Sequence, residues 1–226
     1  MALEFIKTTG SDQLVRALAG RLHDELATGH RVLWLISGGS SIPSEVDTLR
    51  QLHKLGTHLA HLTVMLVDER YGPVGHPDSN WAQLAAAGFD FDSIKTIPVL
   101  TERDASLESA VLAYEQKAQK VLAANNLVIG QLGLGADGHI AGILPHSPAT
   151  TADWRDLVAG YQAPDFIRIT LSPAALHQLK VAYLLANGPA KKAALQRLRD
   201  KDLPIADQPA QLLKSLPEVH IFSDQL

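Results

Sequence analysis

Residues 126–139 read NLVIGQLGLGADGH. A short run of β-formers, 127–132 (LVIGQL), leads into a glycine-rich turn, Gly133-x-Gly135-x-x-Gly138. A buried strand followed by a glycine turn is a unit of open α/β sheets, and this glycine spacing is that of a dinucleotide fingerprint. The fingerprint also needs a helix opening directly from the turn and an acid about 20 residues on, at the end of the next strand. Here Pro145 and Pro148 interrupt any helix within about two turns. The unit also lies past the chain's midpoint rather than in its first strand-to-helix turn. The glycines are therefore read as letting a polar turn, which carries Asp137 and His139, approach a small ligand.

Outward from this stretch the same alternation repeats. β-rich, largely apolar runs stand at 31–36 (RVLWLI), 62–67 (LTVMLV), 127–132, 166–171 (FIRITL), 181–186 (VAYLLA) and 219–222 (VHIF). Continuous rather than alternating apolarity suits strands buried on both faces of a parallel sheet. Helical patterns lie between them at 11–28, 44–54, 79–87, 105–124 and 189–198. Gly29 and Gly88 close the first and third, and Pro189 stands in the first turn of the last. The expectation is one α/β domain over residues 1–226: an open, mostly parallel, Rossmann-like sheet with helices on both faces. Residues 150–164 are the least regular and read as a surface excursion.

Composition narrows the function. Hydrophobic residues make up 46% and charged residues 19%, enough for a core. The formal charge of −4 leaves no basic excess for nucleic acid, so any anion site must be local. With no cysteine, thiolate catalysis and Cys-ligated metals are excluded. The N-terminus lacks a signal-peptide core, and no apolar run reaches the roughly 18–20 residues that span a bilayer. A cytoplasmic protein that binds neither membrane nor nucleic acid is expected, as a monomer or small homo-oligomer. The cluster His53, His58 and His61 has no nearby carboxylate set and reads as solvated, not as a metal site.

In open α/β sheets ligands bind beyond the carboxyl ends of the strands, and four such ends carry polar residues. After 31–36 comes SGGSSIP, with Ser37, Gly38, Gly39 and Ser40 before a helix start: an anion-binding turn or an ordinary one. After 62–67 come Asp68, Glu69 and Arg70, and Arg70 has the fork to grip a phosphate or carboxylate. After 127–132 comes His139, whose ordinary pKa of about 6.5 suits a base near neutrality, with Asp137 placed to orient it or to touch substrate. Arg168 lies within a β run, where burial requires an acid partner or an anionic ligand. Lys191 and Lys192 sit near a helix start, where the macrodipole disfavours cations unless an anion is bound.

Taken in order, these segments resemble the family of 6-phosphogluconolactonases and glucosamine-6-phosphate isomerases. The motifs are Ser37-Gly38-Gly39-Ser40, Asp68-Glu69-Arg70, Ser79-Asn80, Gly133 to His139 (GLGADGH), Arg168-Ile169-Thr170 and Gly188-Pro-Ala-Lys191. The isomerase branch has DEY rather than DER, SY rather than SN, and a catalytic Glu before the proline that follows DGHIA. Leu144 stands at that Glu position here, and a leucine carries no proton. Arg70 and Asn80 follow the lactonase pattern, while Ile140 leans to the isomerase. SGGSSIP is one residue longer than the family's SGGSTP, and 142–149 (GILPHSPA) departs from the lactonases' SLFPG.

The resemblance implies hydrolysis of 6-phospho-D-glucono-1,5-lactone in the oxidative pentose phosphate pathway. His139 would be the general base on water, assisted by Asp137. Ser37, Gly38, Gly39, Ser40, Arg168 and Lys191 would hold the phosphate. Asp68 would be among the substrate contacts, and Arg70 would support the phosphate or the lactone end. No cofactor or metal is called for, because an ester-like carbonyl is already electrophilic. Two alternatives stand beside it: a glucosamine-6-phosphate deaminase-like isomerase, and a noncatalytic sugar-phosphate sensor.

Overall fold

The computed structural model describes residues 2–102, 106–151 and 155–226. Seven strands form a wholly parallel sheet: β1 (Ala2–Lys7), β2 (Val32–Ile36), β3 (Leu62–Leu66), β5 (Lys95–Ile97), β6 (Leu127–Gly133), β9 (Val181–Leu185) and β10 (Glu218–Ser223). Their spatial order is β1-β10-β9-β6-β2-β3-β5. Every residue of β2 and β3 is buried, which explains why these runs read as continuously apolar.

The crossovers are α1 (Asp12–Ala27), α2 (Ile42–Lys54), α3 (Asn80–Ala86), α4 (Leu107–Ala124) and α6 (Lys192–Asp200), with a one-turn helix α5 (Pro173–Leu176). From β2 the chain steps through β3 to β5; it then returns to β6 and steps the opposite way to β9 and β10. Right-handed crossovers therefore place α1, α2 and α3 on one face and α4 and α6 on the other. The direction reverses between β2 and β6, which pair directly, with Ile36 beside Gln131. A ligand crevice opens at the carboxyl ends of strands at such a point. SGGS and GLGADGH leave from those two ends.

Two expectations are corrected. Residues 166–171 are not in the parallel sheet. Strand β8 (Ile167–Leu171) lies between β4 (Asp68–Arg70) and β7 (Val158–Gln162) in a separate antiparallel sheet. The chain bends out of the main sheet at Val67, whose N–H donates to Ile36 O at 2.7 Å and whose carbonyl accepts from Leu171 N–H at 2.7 Å. The segment 150–164 likewise holds β7, packed on α4, where Glu115 accepts from the N–H groups of Leu157 and Val158. β7 and β8 form a local hairpin across residues 163–166, but the pairing of β8 with β4 joins segments far apart in the chain, and no local pattern announces it.

Strands β1 and β5 lie outside the β-rich runs of the sequence. Both are edge strands, and β5 is partly exposed, so neither shows the buried run. Of the expected helix at 105–124, residue 105 lies outside the described residues. Helix α4 starts at Leu107 behind a Ser106–Ser109 capping box. No described helix is long and apolar enough to cross a membrane.

Candidate active site

The loop 134–139 is a closed turn and no helix follows it directly. Gly135 N–H donates to His139 O at 2.8 Å and Gly138 N–H to Gly135 O at 3.0 Å. Gly138 has φ +98°, and a Cβ there would lie 2.5 Å from Gln208 Cγ. Gly135 is needed for space: a Cβ would stand 2.1 Å from His139 Nδ1 and 2.6 Å from Asp137 Oδ1. The turn brings the two side chains together. His139 Nδ1 lies 2.7 Å from Asp137 Oδ1, which also accepts the His139 N–H at 3.0 Å.

This contact assigns the proton to Nδ1 and leaves Nε2 as the ring nitrogen with a free lone pair. Partial burial works against ionisation of Asp137. The hydrogen bonds from the His139 ring and backbone, with the attraction of the imidazolium, outweigh it and hold the carboxyl down at about 2. Arg197 donates to the Asp137 carbonyl at 3.2 Å from α6, tying the turn to its neighbour.

His139 borders a cavity of about 220 Å³. Ser37, Gly38, Gly39, Ser40, Asp68, Arg70, Arg168 and Lys191 all line it as well. Asp137 does not; it stands behind the histidine. Elements distant in sequence supply the wall: the turn after β2, strand β4, strand β8 and the turn before α6.

Ser37 has a different task from the one expected of its hydroxyl. Its Oγ donates to Gln131 O at 3.2 Å, across the β2–β6 seam. Its N–H and that of Gly38 donate to Glu45 Oε1 at 2.8 and 3.2 Å. Beyond them the chain makes a 3-10 turn, Gly39–Ser41, that runs into α2 with Pro43 in its first turn. The long SGGSSIP segment is accommodated in this way. The backbone N–H groups at a helix start and the Ser40 hydroxyl suit an anion. Gly38 has φ +103°, and a Cβ would lie 2.6 Å from Asn80 Cγ, so the loop is pressed against α3.

The second sheet delivers two of the three cavity cations. Arg168 is 7% exposed and lies 3.7 Å from Asp68 Oδ2 and 2.7 Å from Asp165 Oδ2. Burial raises the Asp68 carboxyl to about 6 despite the opposing pull of Arg168 and Arg70. Arg70 donates to Asp78 O at 2.8 Å, and the Phe166 ring lies 5.2 Å from the Arg70 guanidinium and 5.7 Å from that of Arg168. Glu69, between Asp68 and Arg70, does not line the cavity. Its carboxylate accepts from the N–H groups of Arg70, Asn80 and Trp81 and from Ser79 Oγ, at 2.6–3.0 Å, and so fixes the start of α3.

Three further residues matter that the site reading passed over. Asn80, noted only as a branch marker, lines the cavity and donates to Asp68 O at 3.0 Å. Gln208 is wholly buried beneath Gly138, and no local pattern marks it. Glu45 could have been found: with Ile42, Val46, Leu49 and Leu52 it forms the buried stripe of α2, a carboxylate on an apolar face. Leu144 packs against the core and is not among the cavity residues. Among the described residues no group of three or more His, Asp or Glu side chains is arranged to hold a metal ion.

The family model described as glucosamine-6-phosphate isomerases/6-phosphogluconolactonase matches residues 7–221. A 6-phosphogluconolactonase of Mycobacterium tuberculosis is 32% identical over 206 residues, covering 82% of this chain and 81% of that protein. The crystal structure of a 6-phosphogluconolactonase from Thermotoga maritima superposes with a TM-score of 0.78 at 19% identity, covering 98% of this chain and 99% of that one. A monomeric glucosamine-6-phosphate deaminase superposes with a TM-score of 0.75 at 19% identity, covering 98% and 97%. Both branches share the fold, so only the site separates them. The chain belongs to the glucosamine-6-phosphate isomerase/6-phosphogluconolactonase family.

Proposed function

We propose that the chain hydrolyses 6-phospho-D-glucono-1,5-lactone to 6-phosphogluconate. The observation that carries this reading is the Asp137–His139 pair at the rim of a small cavity that also holds three cationic side chains. The phosphate is anchored at the Gly39–Ser40 turn by backbone N–H groups, Arg168 and Lys191, and Arg70 supports either end of the substrate. An anchor remote from the scissile bond places the carbonyl against the base.

His139 Nε2 takes a proton from water as the oxygen attacks the lactone carbonyl. Asp137 stays ionised, keeps the Nδ1–H tautomer and stabilises the imidazolium that forms. The tetrahedral intermediate collapses with cleavage of the bond to the ring oxygen. That oxygen receives the proton from Nε2, which restores the neutral base. An isomerase reading needs a carboxylate where Leu144 stands, and the leucine side chain packs on the core.

The test is lactone hydrolysis near pH 6.5, with the lactone generated in place by glucose-6-phosphate dehydrogenase. Wild type is compared with His139→Ala and His139→Asn. The expected result is fast hydrolysis by wild type and a fall of about 10²–10⁴-fold in kcat in both variants with the fold intact. No hydrolysis by wild type, with sugar phosphate still bound, would replace the enzyme by the sensor.

A further inference from the structure

Glu45 lies beneath the anion turn, and the proposed reaction gives it no role. It is 0% exposed. Oε1 accepts from Ser37 and Gly38, and Oε2 has no hydrogen-bond partner among the described residues. Its carboxylate thus contacts the backbone of two of the four residues assigned to the anion turn. We infer that Glu45 is a positioning residue that fixes the turn and takes up a proton from solvent when a phosphate group occupies it. This rests on the phosphate placement proposed above.

The geometry allows the charge to change without moving the loop. Protonated on Oε2, the acid still presents Oε1 as a carbonyl oxygen to both N–H groups. Ionised, it places a negative charge in a dry site directly under an incoming dianion. The surroundings do not compensate. Asp68, facing it from β4, disfavours ionisation further. Asn80 of α3 and Gln131 of β6 are neutral, and the buried residues of α1, which packs along α2, are all apolar. On α2 itself, Asp47 and Arg50 pair with each other at 3.1 Å on the exposed side. The cavity cations are Arg70, Arg168 and Lys191, and Arg168 is already held by Asp68 and Asp165. Burial, opposed by the two N–H donors, leaves the free carboxyl at about 7, so both forms are present at neutrality.

The test is calorimetric titration with 6-phosphogluconate at pH 7 in two buffers of different ionisation enthalpy. Wild type is expected to take up about half a proton more per ligand than Glu45→Gln, the ligand's own titration being common to both. Equal proton counts in the two proteins overturn the inference alone. Absence of binding by wild type overturns the functional reading and the inference with it. Should Glu45→Gln fail to fold, ligand-induced infrared difference spectra of wild type carrying ¹³C-carboxyl glutamate decide the matter. A growing band of protonated, labelled carboxyl supports the inference, and its absence overturns it.

Discussion

Two carboxylates stand behind the residues that line the cavity and are driven in opposite directions. Asp137, half exposed behind His139, is held down at about 2. Glu45, buried beneath the Ser37–Gly38 backbone, is pushed up to about 7. Both accept two hydrogen bonds through one oxygen, so the number of donors is not the difference. What differs is water and a cationic partner. Asp137 is half exposed and faces an imidazole that can carry charge; Glu45 is wholly buried and has only neutral N–H donors. Desolvation therefore decides at Glu45 and the partner decides at Asp137.

The largest effect expected from breaking this contrast comes at Gly135. Its φ is not in the left-handed range, so Gly135→Ala tests space alone. The added methyl occupies the position of the His139 ring and separates the pair. kcat should fall by about 10²–10⁴-fold, as for loss of the base, with the melting temperature little changed. Retained kcat would mean that the pair does not act as a unit.

Next is Arg168→Ala. It leaves Asp68 buried without its nearest cation and should cost about 3 kcal/mol of stability where Asp68 is ionised. Because Asp68 titrates near 6, the loss should be smaller at pH 5 than at pH 8. Chemical denaturation at the two pH values measures this, and a loss independent of pH would sever Asp68 from Arg168.

Glu45→Gln should act on stability with the opposite sign. The folded carboxyl lies above its unfolded value of 4.5, so between these values the native state holds a proton that the unfolded state has lost. Stability then falls as pH rises through that window and stays reduced above 7. Removing the charge should stabilise the protein at pH 8, relative to pH 4.5, by about 3 kcal/mol. Asp137 makes the reverse contribution, fully present above 3.8 and lost as pH falls towards 2.

The smallest effect is at Lys191, a rim cation with no ion pair among the described contacts. Lys191→Ala should raise KM for the lactone about tenfold with kcat nearly unchanged, the mark of uniform binding. Steady-state kinetics separates the two parameters, and a fall in kcat alone would move Lys191 from anchor to chemistry.

Much of the site was legible without coordinates, and for a local reason. In a parallel α/β sheet each polar turn follows its own strand, so SGGS after β2 and GLGADGH after β6 carry their location in the chain. The pairing of Asp137 with His139 is also local, two residues apart around glycines. The same logic fails for 166–171 and for 158–162. They pair with each other as a hairpin, but that hairpin docks through β8 on β4, which is far off in the chain, and a β run does not say which sheet receives it.

By itself the sequence determined the parallel core, the turns at its carboxyl edge, the absence of thiol chemistry and the leucine that separates the two branches of the family. Only the tertiary structure decided that β2 and β6 are neighbours at the point where the chain reverses direction. It alone turned the β4–β8–β7 sheet so that Arg70 and Arg168 face the same cavity as His139. It also set the protonation of the carboxylates, since a pKa depends on the water excluded and the charges nearby. Those are properties of neighbours in space, fixed only when the strands are packed.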